Sequence, residues 1–202
     1  MHSGDCWLST AQKTMLQLDH IRGLPKAPIH EDLLGLTSIS KVFAADGTAA
    51  FLTLSDLDLD TDGVKDPDIH YESTHQSATS LDPKGEWLNS NQLNYIVLPG
   101  GFNERHGKLV GIGTLATVIY SGRIAHAVVA DIGPKAKFGE GSISLHRALG
   151  FERIRDGRVI DCGIDRGVLM LIYLGSSIGS SRFAPADIDH ACTPWWTKFS
   201  SE

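Results

Sequence analysis

The chain has 202 residues, of which 42% are hydrophobic and 21% are charged, and its formal net charge is −6. This length suits one domain with a buried core, and the composition excludes an intrinsically disordered chain. No apolar stretch approaches the roughly 20 residues that span a bilayer, and the acidic balance argues against a general nucleic-acid binder. We therefore expect one globular domain over residues 1–202, monomeric, with neither a membrane nor a nucleic acid as partner.

Two helices and six strands are predicted in chain order. Residues 9–22 form a short amphipathic pattern that Gly23 and Pro25 end. Runs rich in Val, Ile, Leu, Thr and Tyr predict strands at 38–44, 48–54, 93–98, 113–120, 123–130 and 168–174. A second helix is predicted at about 142–149, capped by Ser142 and ended by Gly150. Six strands with few helices predict a mainly β fold, a compact β-barrel with helical decoration.

Two segments without a predicted regular element also carry information. The polar region 55–92 is too long for a plain connection, so we expect it to be functional or to fold over the surface. The closing segment, 176–202, is rich in serine and then carries Trp195 and Trp196, which could pack back onto the body.

Three cysteines, Cys6, Cys162 and Cys192, give no even-numbered disulfide framework. One bridge with a free thiol and no bridge at all both stay open, and Cys6 could join Cys192 because both lie near the termini. No Cys-x-x-Cys pair occurs, so a structural zinc site is not expected. Residues 1–7 lack a basic segment followed by an apolar one, so they do not form a secretory signal peptide.

An acidic run follows the second predicted strand, with the sequence Asp56-Leu-Asp-Leu-Asp-Thr-Asp-Gly63. Between residues 56 and 72 there are seven acidic residues and one lysine. Since alternate side chains of an extended chain share a face, Asp56, Asp58 and Asp60 would lie together, opposite the two leucines. Such an acidic ridge could hold ammonium groups by charge-assisted hydrogen bonds.

Two other interpretations of the acidic run are open. Asp58-x-Asp60-x-Asp62-Gly63 matches the first half of an EF-hand calcium loop. However, its twelfth position is Ile69 instead of a bidentate glutamate, and Pro67 opposes a flanking helix. The run could also be a solvated turn without a role, although like charges this close repel one another unless a cation relieves them.

A second pair of carboxylates, Asp131 and Glu140, brackets a Gly-Pro turn. The apolar run 124–130 leads into Asp131, and Glu140 stands between two glycines just before the second predicted helix. Two carboxylates on the rims of rigid elements suit glycoside hydrolysis, one as acid and one as base. The residues alone also allow a structural interpretation, in which Asp131 organises its turn and Glu140 stabilises a helix start.

The chain resembles the family 75 chitosanases over roughly residues 38–175. The resemblance rests on three segments: the Asp-x-Asp-x-Asp-Gly stretch 58–63 after a β-run, the run 93–102 with Tyr95 and Pro99, and the pair of segments 127–131 and 139–142. The final apolar strand, 168–174, also fits, whereas Gly141 replaces the usual alanine. The resemblance implies a β-barrel, with the six-stranded double-psi form as first choice.

The same resemblance implies endo-hydrolysis of the β-1,4 linkages between glucosamine units of chitosan, with inversion, no metal or other cofactor, and secretion. It implies that Asp131 and Glu140 are the catalytic pair. We expect Glu140 to be the general acid, because partial burial could raise its pKa, and Asp131 to be the general base in a wetter turn. Substrate contacts are expected from the acidic run and one aromatic residue: Asp56, Asp58, Asp60, Asp62 and Tyr95.

Two alternatives to chitosan hydrolysis stay open. The protein could be a non-catalytic module that uses residues 56–68 to hold calcium or a cationic polysaccharide. It could also hydrolyse another substrate, such as a partly N-acetylated polymer, which a less acidic and more aromatic cleft would favour. Trp87 and Phe102 could stack on sugar faces, and they suit core packing or loop anchoring equally well. One structural observation distinguishes the enzyme from the binding module: whether Asp131 and Glu140 share a cleft with the acidic run.

Overall fold

A computed structural model describes residues 10–71, 73–160, 162–179 and 181–201 of the chain. The helices are α1 (Thr10–Gly23), α2 (Phe102–Arg105), α3 (Ile143–Ala148) and α4 (Pro185–Ser200). The strands are β1 (Lys26–Ile29), β2 (Leu36–Phe43), β3 (Ala49–Asp60), β4 (Tyr95–Pro99), β5 (Leu115–Tyr120), β6 (Arg123–Gly133), β7 (Glu140–Ser142), β8 (Ile154–Arg155), β9 (Arg158–Val159) and β10 (Ile164–Tyr173).

Six strands close into a barrel in the order β3-β10-β5-β6-β4-β7, and β7 pairs back onto β3. The β3–β7 and β4–β6 pairs are parallel, and the other neighbours are antiparallel. The prediction of a mainly β fold with a six-stranded barrel and a few short helices is therefore confirmed. The double-psi form stays a prediction.

Five of the six predicted strands form the barrel, and the sixth predicted strand lies outside it. All six predicted runs are strands, but 38–44 forms β2, which with β1 extends the sheet beyond β3 and lies outside the closed barrel. The sixth barrel strand is β7, which the sequence did not predict. It has three residues and a central glycine, so it carries neither the length nor the β-branched content by which strands are recognised.

The polar region 55–92 is divided between a strand and a covering loop. Residues 55–60 continue β3. Although aspartate has a low β-propensity, Leu57 is 0% exposed, and its burial in the core stabilises the extended chain. The remainder folds over the barrel, as expected, and Leu81 N–H donates to Ala130 O at 2.8 Å. Buried Asp82 organises this loop by accepting from the backbone N–H groups of Trp87 at 2.7 Å and Leu88 at 2.9 Å.

The helices follow the predictions at two of four places. α1 begins and ends within one residue of the prediction, and Ser142 caps α3 by accepting from Leu145 N–H at 3.1 Å. The sequence did not predict α2 or α4. In α4, Trp195 stacks on buried Tyr173 with ring centroids 5.7 Å apart, so the closing segment does pack onto the body. Across the described part of the chain, none of the helices has the length and apolar character needed to cross a membrane.

Cys192 is buried in α4 and Cys162 is exposed, and the two do not form a disulfide with each other. The remaining cysteine, Cys6, lies outside the described residues, and with it the expected alternative of a bridge to Cys192.

Candidate functional site

A β-bulge in β6 turns Asp131 toward a cleft. Ile96 of β4 lies opposite Val129, but the next residue, Val97, lies opposite Asp131, so Ala130 is the extra residue. Ile96 and Val129 pack in one buried cluster, whereas Val97 belongs to the other, on the opposite face of the strand. Since regular alternation would place Asp131 on the face of Val129, the bulge moves it to the face of Val97.

Glu140 reaches the same face from the other side of β4. Val97 is paired with Glu140 in β7 as well as with Asp131 in β6, so the two carboxylates flank one residue of the strand between them. Two strand spacings separate their Cα atoms by about 10 Å. From that separation the carboxyl groups can lie about 6.5–9.5 Å apart, which is the range of inverting glycosidases.

The cleft has a volume of about 420 Å³ and lies over Val97. Four of its lining residues are carboxylates: Asp60, Asp62, Asp131 and Glu140. The rest of the lining consists of Leu59, Thr61, Thr74, Gln76, Val97, Ile132, Gly133 and Pro134. None of these described lining residues carries a positive charge, so the cleft is suited to a cationic ligand.

Three hydrogen bonds fix one oxygen of Asp131. Its Oδ1 accepts from Ser80 Oγ at 2.5 Å, from Ser80 N–H at 2.9 Å and from its neighbour Ile132 N–H at 2.8 Å. These donors occupy Oδ1 and fix the orientation of the carboxylate group. The second oxygen, Oδ2, is therefore the one available to a water or a ligand in the cleft.

Glu140 lies over the backbone of Gly133. A Cβ at that position would come within 2.7 Å of Glu140 Oε2, so the glycine leaves the room that the carboxyl group occupies. Burial raises the pKa of Glu140, and the positive charge of Lys137 partly lowers it again. The nearby negative charges of Asp58, Asp131 and Asp62 raise it further. A half-buried carboxyl group with a raised pKa has the property required of a general acid.

Asp60 and Asp62 hold protons more tightly than usual. Burial is the main cause in both, and it raises the pKa of Asp60 to about 7 and that of Asp62 to about 6. Backbone donors act in the opposite direction, since Asp60 Oδ1 accepts from Asp62 N–H and Asp62 Oδ1 accepts from Gln76 N–H, both at 2.7 Å. Carboxylate oxygens of Asp60, Asp62 and Asp131 all lie within 4.8 Å of one another, a spacing that favours the approach of a positive charge.

The acidic ridge expected from Asp56, Asp58 and Asp60 is divided in two. Lys137 Nζ lies 2.9 Å from Asp56 Oδ2 and 2.7 Å from Asp58 Oδ2, so one internal cation pairs with both carboxylates and leaves the group with a net charge of −1. The substrate contacts expected from Asp56 and Asp58 stay predictions, and such contacts would compete with this internal pairing. The EF-hand interpretation is also wrong in its geometry, because Asp58 and Asp60 lie within β3 instead of in a loop.

The prediction that Tyr95 contacts the substrate is wrong. Its side chain is 0% exposed, so the ring has no face available to a sugar. Instead, its hydroxyl donates to the backbone oxygen of Asp62 at 2.9 Å and supports the cleft from below. Phe102 is likewise buried, whereas Trp87 is half-buried and lines a separate groove.

Reasoning from the sequence missed three residues that shape the site: Ser80, Gly133 and Lys137. A serine in a long polar loop carries no pattern that would show it reaching Asp131, 51 positions away in the chain. Lys137 lies between Asp131 and Glu140, and its charge was the one available hint that it could pair with the acidic run.

No family model matches the chain, and no curated protein is significantly similar to it. The resemblance to the family 75 chitosanases therefore rests on the motifs quoted from the sequence.

Proposed function

We propose that the protein is an endo-acting glycoside hydrolase that cleaves β-1,4 linkages between glucosamine units of chitosan with inversion. The observation that carries this proposal is the placement of Asp131 and Glu140 on either side of Val97, facing one cleft. Neither a metal nor another cofactor is required. The resemblance implies a secreted enzyme, and we expect it to act as a monomer.

In this mechanism Glu140 gives its proton to the oxygen of the leaving sugar. Asp131 takes a proton from a water molecule, which attacks the anomeric carbon from the opposite face of the ring. The three donors on Asp131 Oδ1 hold the base in position and leave Oδ2 to bind that water. Because its pKa is raised, a larger fraction of Glu140 is protonated at a given pH than of an ordinary glutamate.

The charge of the cleft supports a polycationic substrate. Four carboxylates line it, and Lys137 lies on the far side of Glu140, paired with Asp56 and Asp58. Asp60 and Asp62 are placed to accept hydrogen bonds from the ammonium groups of glucosamine units, and such charge-assisted bonds are stronger than neutral ones.

A non-catalytic binding module is the second candidate. The observation that favours it is the mutual approach of Asp60, Asp62 and Asp131 within 4.8 Å, which suits the binding of a cation or of an ammonium group without any reaction. Such a module would bind highly deacetylated chitosan and release no reducing ends.

The test is reducing-end release from highly deacetylated chitosan by the wild type, Glu140→Gln and Glu104→Gln. Glu104 is exposed on α2, so its variant controls for the loss of one surface charge. We expect activity in the wild type and the control, and a loss of at least about a hundredfold in Glu140→Gln. If the folded wild type binds the polymer and releases no reducing ends, the proposed hydrolase is wrong and the protein is a binding module.

A further inference from the structure

Asp58 lies at the edge of the acidic cleft. It is paired in register with Glu140 of β7, and Asp60 follows two residues later on the same face of β3. Glu140 and Asp60 both line the cleft. Neighbouring strands lie about 4.8 Å apart, and alternate residues of one strand lie about 6.7 Å apart. The carboxylate of Asp58 is therefore within reach of a ligand that occupies the cleft.

The ammonium group of Lys137 occupies the position in front of this carboxylate. Lys137 Nζ lies 2.7 Å from Asp58 Oδ2 and 2.9 Å from Asp56 Oδ2. A glucosamine unit carries the same functional group, a primary ammonium, on its ring. The lysine therefore shows that the space between the two carboxylates accommodates an ammonium group, with charge-assisted hydrogen bonds to both.

The two carboxylates that hold Lys137 differ in exposure. The side chain of Asp56 is 18% exposed, whereas that of Asp58 is 50% exposed. Asp56 packs against Gly35 and Gly139, where an added Cβ would overlap with its Oδ1. The backbone N–H of Asp56 also donates to Gly35 O at 2.9 Å. Asp56 is thus a fixed and enclosed partner of Lys137, whereas Asp58 is open to solvent and to a ligand.

The charges of these three groups favour an exchange of partners. Two carboxylates and one ammonium group have a net charge of −1, so one further cation would neutralise them. If a sugar ammonium binds Asp58, Lys137 keeps its bond to Asp56, and no charged group loses its partner. Because exposed ion pairs contribute little free energy, the pair of Lys137 with Asp58 opposes the exchange only weakly. The flexible alkyl chain of Lys137 permits the movement.

We propose that Lys137 is an internal competitor of the substrate, and that an ammonium group of the polymer displaces it from Asp58 on binding. The identity of the polymer rests on the proposed function. In the free protein Lys137 bridges Asp56 and Asp58. In the complex it stays on Asp56, and Asp58 holds the sugar. A ligand without a positive charge cannot replace the lysine, so Asp58 and Lys137 together determine specificity at the edge of the cleft.

The test measures the affinity of the glucosamine hexamer by calorimetry in the Asp131→Asn background. This change prevents hydrolysis in the proposed mechanism and leaves the residues of the exchange intact. We expect Lys137→Met to tighten binding about two- to fivefold, because the competitor is removed. Lys135→Met removes an exposed charge from the same turn and is the matched control, with a smaller effect because that charge is screened. With Asp58→Asn also present, the tightening by Lys137→Met should disappear.

A measurement on the unsubstituted lysine keeps the test decisive if Lys137→Met does not fold. We expect hexamer binding to shift the Nζ and Cε NMR signals of Lys137 and to leave those of Lys135 unchanged. The proposal is overturned if the Lys137 signals do not change at saturation, or if Lys137→Met tightens binding no more than Lys135→Met does. Cleavage of chitosan by the wild type alongside that result would leave the hydrolase standing. Tighter binding by Lys137→Met without cleavage by the wild type would instead overturn the hydrolase and leave the exchange standing.

Discussion

The two halves of the acidic run have opposite electrostatic environments, although their sequences look alike. Asp56 and Asp58 share one cation, Lys137, at distances of 2.9 and 2.7 Å. The second half consists of Asp60 and Asp62, which lie close to each other and to Asp131. The described residues that line their cleft include no cation. The difference shows that alternation along a strand predicts which carboxylates share a face, whereas a distant residue, here Lys137 in the turn before β7, decides which of them have a cationic partner.

The two halves therefore contribute differently to stability and to function. The pairs with Lys137 join β3 to the turn before β7. The unpaired half keeps carboxyl groups whose pKa values burial raises, to about 7 for Asp60 and about 6 for Asp62. Such groups destabilise the fold once they are ionised, which is typical of sites retained for binding or catalysis.

The largest expected effect comes from removing the ionisation of Asp60 with Asp60→Asn. The pKa of Asp60 rises from 3.8 to about 7 on folding, so the native state binds more protons than the unfolded state between these values. Stability from this group is therefore complete below about pH 4 and is lost as the pH rises through 7. The full shift corresponds to about 4 kcal/mol, and we expect about half because Asp60 is partly exposed.

Asp60→Asn should accordingly raise the free energy of unfolding by about 2 kcal/mol at pH 8 and leave it nearly unchanged at pH 4. Urea denaturation at the two pH values measures this difference. Asp68→Asn, an exposed change in the loop that follows β3, is the control. An equal change in the free energy of unfolding at both pH values would show that the pKa of Asp60 is not raised on folding, which contradicts the description of the unpaired half.

The opposite test removes the cation from the paired half with Lys137→Met. Burial lowers the pKa of Lys137, but its hydrogen bonds to Asp58 and Asp56 outweigh burial and raise it. Without the ammonium group, Asp56 and the half-exposed Asp58 lose their cationic partner. We expect a loss of about 1–2 kcal/mol in the free energy of unfolding at pH 7. The pKa of Glu140 should rise further, because Lys137 lowers it in the wild type.

Urea denaturation and carboxyl ¹³C NMR titration measure the two consequences of Lys137→Met. Lys135→Met changes an exposed lysine in the same turn and is the matched control. If both variants lose the same stability and leave the titration of Glu140 unchanged, the division of the acidic run into a paired and an unpaired half is wrong.

The sequence predicts the parts of the site that depend on local pattern. The apolar run before Asp131 and the cap at Ser142 gave the strand and helix that flank the carboxylate pair, and both lie where expected. The bulge at Ala130 and the short strand β7 could not be predicted, because pairing with β4 creates both and neither has a local propensity of its own. Tyr95 was misassigned for a similar reason, since burial of its ring depends on long-range packing.

The smallest expected effect concerns Ser80, which holds Asp131 beside the unpaired half. Ser80→Ala removes the Oγ donor at 2.5 Å and keeps the Ser80 and Ile132 backbone donors, so the free energy of unfolding should fall by less than about 1 kcal/mol. Activity on deacetylated chitosan should fall about three- to tenfold, because a less constrained base spends less time in the productive orientation. Ser77→Ala, an exposed change in the same loop, controls for loop effects. If both serine variants have wild-type kcat, Ser80 does not position the base, and the backbone donors alone suffice to hold Asp131.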